Sequence, residues 1–216
     1  MSRPTSRPLA PNAARRLLRL ADGLERPVLF MGRAASWLIL PLIGIIIVDA
    51  VCRKFLRKLD VVIDTGLYHL MNSPVFQDAE WHLHAIIFLC AFGYAYAHNA
   101  HVRLDIFRPR LTTKARVWIE ITGGVVLLLP FLGVLLYYGW DFVVSAWQTD
   151  EISAASTGIA NRWVVKSFLV TGLMLMAAAA GSVLIRLVVY RLGPPELEPA
   201  ARVEAFARPT HSAFDG

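Results

Sequence analysis

Histidines and cysteines are the side chains in this 216-residue chain whose spacing could do chemistry, and two of the six histidines are placed most suggestively. His84 and His98 lie 14 residues apart in one apolar stretch. In a helix that spacing is about 21 Å on nearly one face, the arrangement by which membrane cytochromes stack two haems. Bis-histidine ligation needs a partner on a facing helix, and the other long apolar stretches contain no histidine. His69, His82, His101 and His211 fall near the ends of apolar stretches or in the C-terminal tail. His82 and His84 would point to different sides of a helix, with no cysteine or carboxylate to complete a tetrahedral metal set. Cys52 and Cys90 make no disulfide framework and read as packing residues. There is no phosphate-binding glycine loop, Gly123-Gly124 reads as a packing pair, and the polar loops are too short to build a Ser-His-Asp site. The residues therefore predict no catalytic, cofactor or metal site, with a haem-binding membrane anchor of a redox complex as the alternative to a noncatalytic membrane role.

The elements that must position these residues are four apolar stretches, at about 34–52, 81–102, 119–140 and 167–190, each with at most one charge inside. A hydrocarbon core of about 30 Å needs roughly 20 helical residues, which each stretch approaches. Hydrophobic residues make up 56% of the chain, more apolar surface than a soluble domain of this size can hide. The net charge of +6 would suggest nucleic acid in a soluble protein, but here the basic residues flank apolar spans, which is a topology signal. Alternate flanking segments carry 16 Lys and Arg against 6. The expected fold is all-α: an integral membrane protein with four transmembrane helices plus amphipathic interfacial helices, both termini cytoplasmic.

Residues 1–33 are expected to be a cytoplasmic arm and amphipathic helix, 34–190 the membrane domain, and 191–216 a flexible cytoplasmic tail. Arg15-Arg16 precedes its apolar run by too many residues for an export signal, and no cleaved signal is expected. From Asn12 to about Arg26, Leu17, Leu20, Leu24 and Val28 recur at helical spacing among arginines. That pattern suits a helix lying on anionic lipid or docked on another protein. Asp49 precedes Arg53 by one turn, predicting an i, i+4 pair. Ser73-Pro74 reads as the start of a helix running to His98. Pro130 predicts a kink near Val126. Gly172, Met176, Ala177, Ala178, Ala180, Gly181 and Ser182 form a small-residue face expected to pack on another helix.

The segment Gln77-Asp78-Ala79-Glu80-Trp81-His82-Leu83, with His101-Val102-Arg103-Leu104-Asp105-Ile106-Phe107, resembles the small permease subunit of the tripartite ATP-independent periplasmic (TRAP) transporters. Ser145-Ala146-Trp147, Glu151-Ile152-Ser153 and Arg162-Trp163 with Lys166 are similar to that family's second outer-loop pattern. Ser156-Thr157-Gly158-Ile159-Ala160-Asn161 departs from it, since proline and paired glycines are common there. The resemblance implies a small subunit that scaffolds a large multi-span permease in the bacterial inner membrane. That permease would import an organic solute, typically a carboxylate, with sodium, after delivery by a periplasmic solute-binding protein. No cofactor and no nucleic acid are implied; the partners would be the large subunit, the binding protein and membrane lipid. Glu80, Trp81, His101, Arg103, Asp105, Glu151, Ser153, Trp163 and Lys166 become candidates for partner contact. Arg103 and Asp105 could instead lock their own loop, and Glu151 and Lys166 could pair with each other.

Overall fold

A computed structural model describes residues 9–55, 74–100, 111–152 and 160–203. The candidates His101, Arg103, Asp105 and Ser153 lie outside the described residues, as do the 56–73 connection and the tail from 204. Among the described residues the chain is helical, with no strand. In order these helices are α1 (Pro11–Ser36), α2 (Ile39–Lys54), α3 (Pro74–Ala97), α4 (Thr113–Gly123), a π turn (Gly124–Leu128), α5 (Leu129–Gln148) and α6 (Arg162–Leu192). Among the described residues three continuous stretches, Pro11–Lys54, Thr113–Gln148 and Arg162–Leu192, are long and apolar enough to cross a membrane. The 24-residue helix α3 is long enough, but Asp78, Glu80, His82 and His84 in its first turns dilute its apolar run.

Helix α1 runs well past Arg26, where the leucine pattern ended. Ala14, Leu18, Ala21, Val28 and Ala35 are buried at steps of three, four and seven, so one face stays packed through Pro27 to Ser36. The buried stripe is also turned from the one the leucines suggested: Leu20 is 59% exposed. The chain then turns at Trp37–Leu38, where the Trp37 and Leu38 N–H groups donate to Ala34 and Ala35. Residues 34–36, expected in the first span, therefore close α1.

Pro130 has its expected effect upstream, but as a π turn. Pro130 lacks the N–H that would bond the Val126 carbonyl, and the Leu129 N–H reaches five residues back to Gly124. Helix α3 ends on Asn99, whose φ of 53° is left-handed, while the Ala100 N–H closes on the Ala95 carbonyl at 2.8 Å. Asp150 (φ 45°) ends α5 likewise, with the Glu151 N–H donating to Ala146 at 3.1 Å. Both caps free the next residue to leave the helix axis.

The chain forms two compact units. The first comprises Met1–Phe30, Phe92–Val134 and Met174–Gly216. In it Ala14 and Leu18 pack with Val189 and Ala201, and Val117 packs with Leu187 and Val203. Residues 193–203 are thus not the free tail expected from 191. A short 3-10 turn at Pro195–Leu197 folds them back, and Ala201 and Val203 are buried. Arg186 fastens this unit, donating to Asp22 at 2.6 Å, Glu25 at 2.7 Å and the Ala200 carbonyl at 3.0 Å. Gly93 lies against the backbone of Leu175: a Cβ there would sit 2.8 Å from its carbonyl oxygen.

The second unit comprises Met31–Ala91 and Leu135–Leu173. Its helices also meet through a glycine, for a Cβ on Gly172 would lie 2.7 Å from the Leu89 carbonyl oxygen. Asp49 is buried and accepts from Arg53, the predicted pair. Cys52 and Cys90 are buried free thiols.

Candidate functional site

At the connection between α5 and α6 three of the described ionisable groups converge beside aromatic rings. The left-handed cap at Asp150 turns the chain so that the Glu151 side chain faces the first turn of α6, and the Arg162 N–H donates to the Glu151 carbonyl at 3.2 Å. Glu151 then accepts from two cations: Arg162 Nη1 at 3.0 Å on Oε1, and Lys166 Nζ on Oε2. The cations are one turn apart on α6, so both reach the same carboxylate. Lys166 is only 13% exposed, because its ammonium also lies 3.7 Å from the centroid of Phe142. Trp147 and Trp163 close the cluster edge to face, with centroids 4.5 Å apart.

Glu151, Trp163 and Lys166 are thus brought together, and Glu151 and Lys166 pair with each other as one sequence reading allowed. Phe142 was not singled out, Trp147 entered only through the Ser145-Ala146-Trp147 resemblance, and Arg162 was not seen as a second partner of Glu151. Its spacing of four from Lys166 was the available signal. Glu80 and Trp81 belong to α3, and among the described residues no hydrogen bond, ion pair or ring contact joins either of them to this cluster. Glu80 leaves Oε1 without a partner, and Trp81 is 75% exposed.

The hydrogen bond from Lys166, helped by the charges of Lys166 and Arg162, holds the Glu151 carboxyl below its ordinary value against a smaller opposing effect of burial. A depressed carboxylate contributes stability above its unfolded value, and loses it as pH falls through the lower folded value. Thermal stability of the purified chain is therefore expected to hold at mildly acidic pH and to lose an acid-labile component below about pH 4. Glu151→Gln should remove that component, and an unchanged acid profile in this variant would refute the assignment.

The histidines build no axial-ligand pair among the described residues. His84 is exposed and bonds through Nδ1 to its own helix, at the Glu80 carbonyl 2.9 Å away. His98 does the same to the Tyr94 carbonyl at 3.0 Å and stacks on the Tyr94 ring. No group of three His, Cys, Asp or Glu among the described residues could hold a metal ion.

The cluster's chemistry is that of a fixed charged surface patch: its cations are committed, and its aromatic walls suit contact with another protein. Residues 42–189, about two thirds of the chain, match the family described as tripartite ATP-independent periplasmic transporters, DctQ component. No curated protein and no solved structure matches the chain.

Proposed function

The chain belongs to the DctQ component family of the tripartite ATP-independent periplasmic transporters, the small membrane subunit, and from that premise we propose that it braces the large multi-span permease subunit. The large subunit imports an organic solute, a carboxylate, with sodium, after a periplasmic solute-binding protein delivers it. The resemblance of the loop motifs supports these finer points. Both termini are cytoplasmic and α3 is the fourth span, a reading supported by the 16 to 6 split of basic residues. The location is then the bacterial inner membrane, and the Glu151 cluster faces the periplasm, where the binding protein docks.

One observation carries the bracing role. Only 11% of the apolar window in the Thr113–Gln148 stretch is buried within the chain, against 44% in Arg162–Leu192. Helix α6 is the more buried of the two, whereas α5 offers Phe131, Tyr137 and Trp140, each at least 60% exposed, to lipid or a partner helix. Trp81, 75% exposed, is a further contact point for the large subunit. On α1, Arg15 and Arg19 flank a shallow groove over Leu18, which suits the membrane surface.

Affinity purification of the tagged chain from its native membrane, in mild detergent, is expected to bring down a large multi-span permease at one to one. Recovery of the chain alone from membranes in which both proteins are abundant would sink the proposal.

A further inference from the structure

A cavity of about 210 Å³ lies where the C-terminal segment folds onto α6, lined by Glu25, His98, Ser182, Arg186, Arg202 and Val203. It is polar and far larger than the roughly 10–15 Å³ of this measure that a single water requires. The charged groups on its wall are unequally committed. Glu25 is spent on Arg186, which also holds Asp22 and the Ala200 carbonyl. Arg202 is different: its guanidinium has no hydrogen bond or ion pair among the described residues, and it is exposed. Ser182 is 2% exposed, and its hydroxyl finds no partner. His98 spends Nδ1 on its own helix.

The wall thus combines a neutralised acid with an uncommitted planar guanidinium and an uncommitted hydroxyl. Such a set selects an anion with several acceptor oxygens, and a guanidinium meets two oxygens of a phosphate at once. Basic pockets between membrane helices recognise lipid headgroups by this chemistry. We propose that this cavity is a binding site for a phosphate group, borne by a phospholipid headgroup or free as inorganic phosphate, with Arg202 as the principal contact and Ser182 as a hydroxyl donor. Occupancy ties the segment carrying Arg202 to α6, adding to the tie that Arg186 makes through Ala200. The site does not depend on the transporter role or on which terminus faces the cytoplasm.

The test uses the full chain, purified and stripped of lipid in detergent. It is titrated in one arm with dihexanoyl phosphatidylglycerol and in the other with sodium phosphate, read by thermal unfolding and native mass spectrometry. Saturable one-to-one binding is expected, weakened roughly tenfold or more by Arg202→Glu and less by Ser182→Ala. Saturation in the lipid arm alone assigns the phosphate to a headgroup, and in the inorganic arm alone to free phosphate. In both arms, mutual competition places the two ligands in one site. Arg202 is exposed and outside the helices, so Arg202→Glu should keep the wild-type circular dichroism; if it does not, Arg202→Gln serves for the same comparison. Absence of saturable binding in both arms, or equal affinity in the wild type and the folded Arg202 variant, overturns the proposal.

Discussion

Gly172→Leu is expected to destabilise the folded chain in detergent by about 3 kcal/mol. Even the first added carbon would stand 2.7 Å from the Leu89 carbonyl oxygen and 2.9 Å from the Leu89 Cβ, closer than real Cβ atoms come. The obstacle is backbone inside helix α3, so no rotamer change relieves it, and three further carbons must follow. Overpacking typically costs about 1–3 kcal/mol, and a rigid opponent puts this case at the upper end. The loss is felt more in a bilayer, where helices are held by close packing instead of by expulsion of water. Gly93→Leu should behave alike against the Leu175 carbonyl. Gly133→Ala is the control, because nothing lies within 4 Å of its added carbon. In an SDS-titrated unfolding experiment the two leucine variants should unfold at clearly lower SDS, and the control at or above the wild-type midpoint. A wild-type midpoint for Gly172→Leu would refute the close approach.

Glu151→Lys is expected to reduce solute uptake by roughly tenfold or more while the chain stays at its normal level in the membrane. The substitution sets three cations together and releases Arg162 and Lys166 from the carboxylate they share. The double variant Glu151→Lys with Lys166→Glu separates two explanations. If the cluster only shapes the connection between α5 and α6, restoring an opposite pair should restore uptake. If it presents charge to the solute-binding protein, uptake should stay low, since the partner's own charges are unchanged. Full uptake by the single variant would exclude both.

The legible parts of this chain were those written as long runs or local pairs. The apolar stretches, the Asp49–Arg53 pair and the small residues around Gly172 depend on spacing within one helix, which sequence displays directly. Gly93 did not stand out, because it sits alone between Phe92 and Tyr94 and its meaning lies in the Leu175 backbone, more than 80 positions away. The length of α1 was hidden because its buried face is built from Ala14, Ala21 and Ala35 as much as from leucine. Ala201 and Val203 are too few to form a periodic signal, so their packing could not be read from the tail's composition. In the α5–α6 cluster, the charges were visible as candidates. The turn that aims Glu151 at both cations was not, since it rests on a left-handed Asp150 that no pattern announces.

The π turn has a further consequence in the phase of its helix. From Val117 to Ala146 the buried positions are Val117, Gly124, Leu132, Gly139 and Ala146. They recur every seven residues except across the π turn, where the step is eight. Eight residues of regular helix would rotate the next member by about 80°, whereas the wider turn takes up the extra residue and brings it back into line. The distortion beside Pro130 therefore works as a phase corrector: it absorbs a one-residue insertion, so that a single seam continues where a regular helix would have lost it.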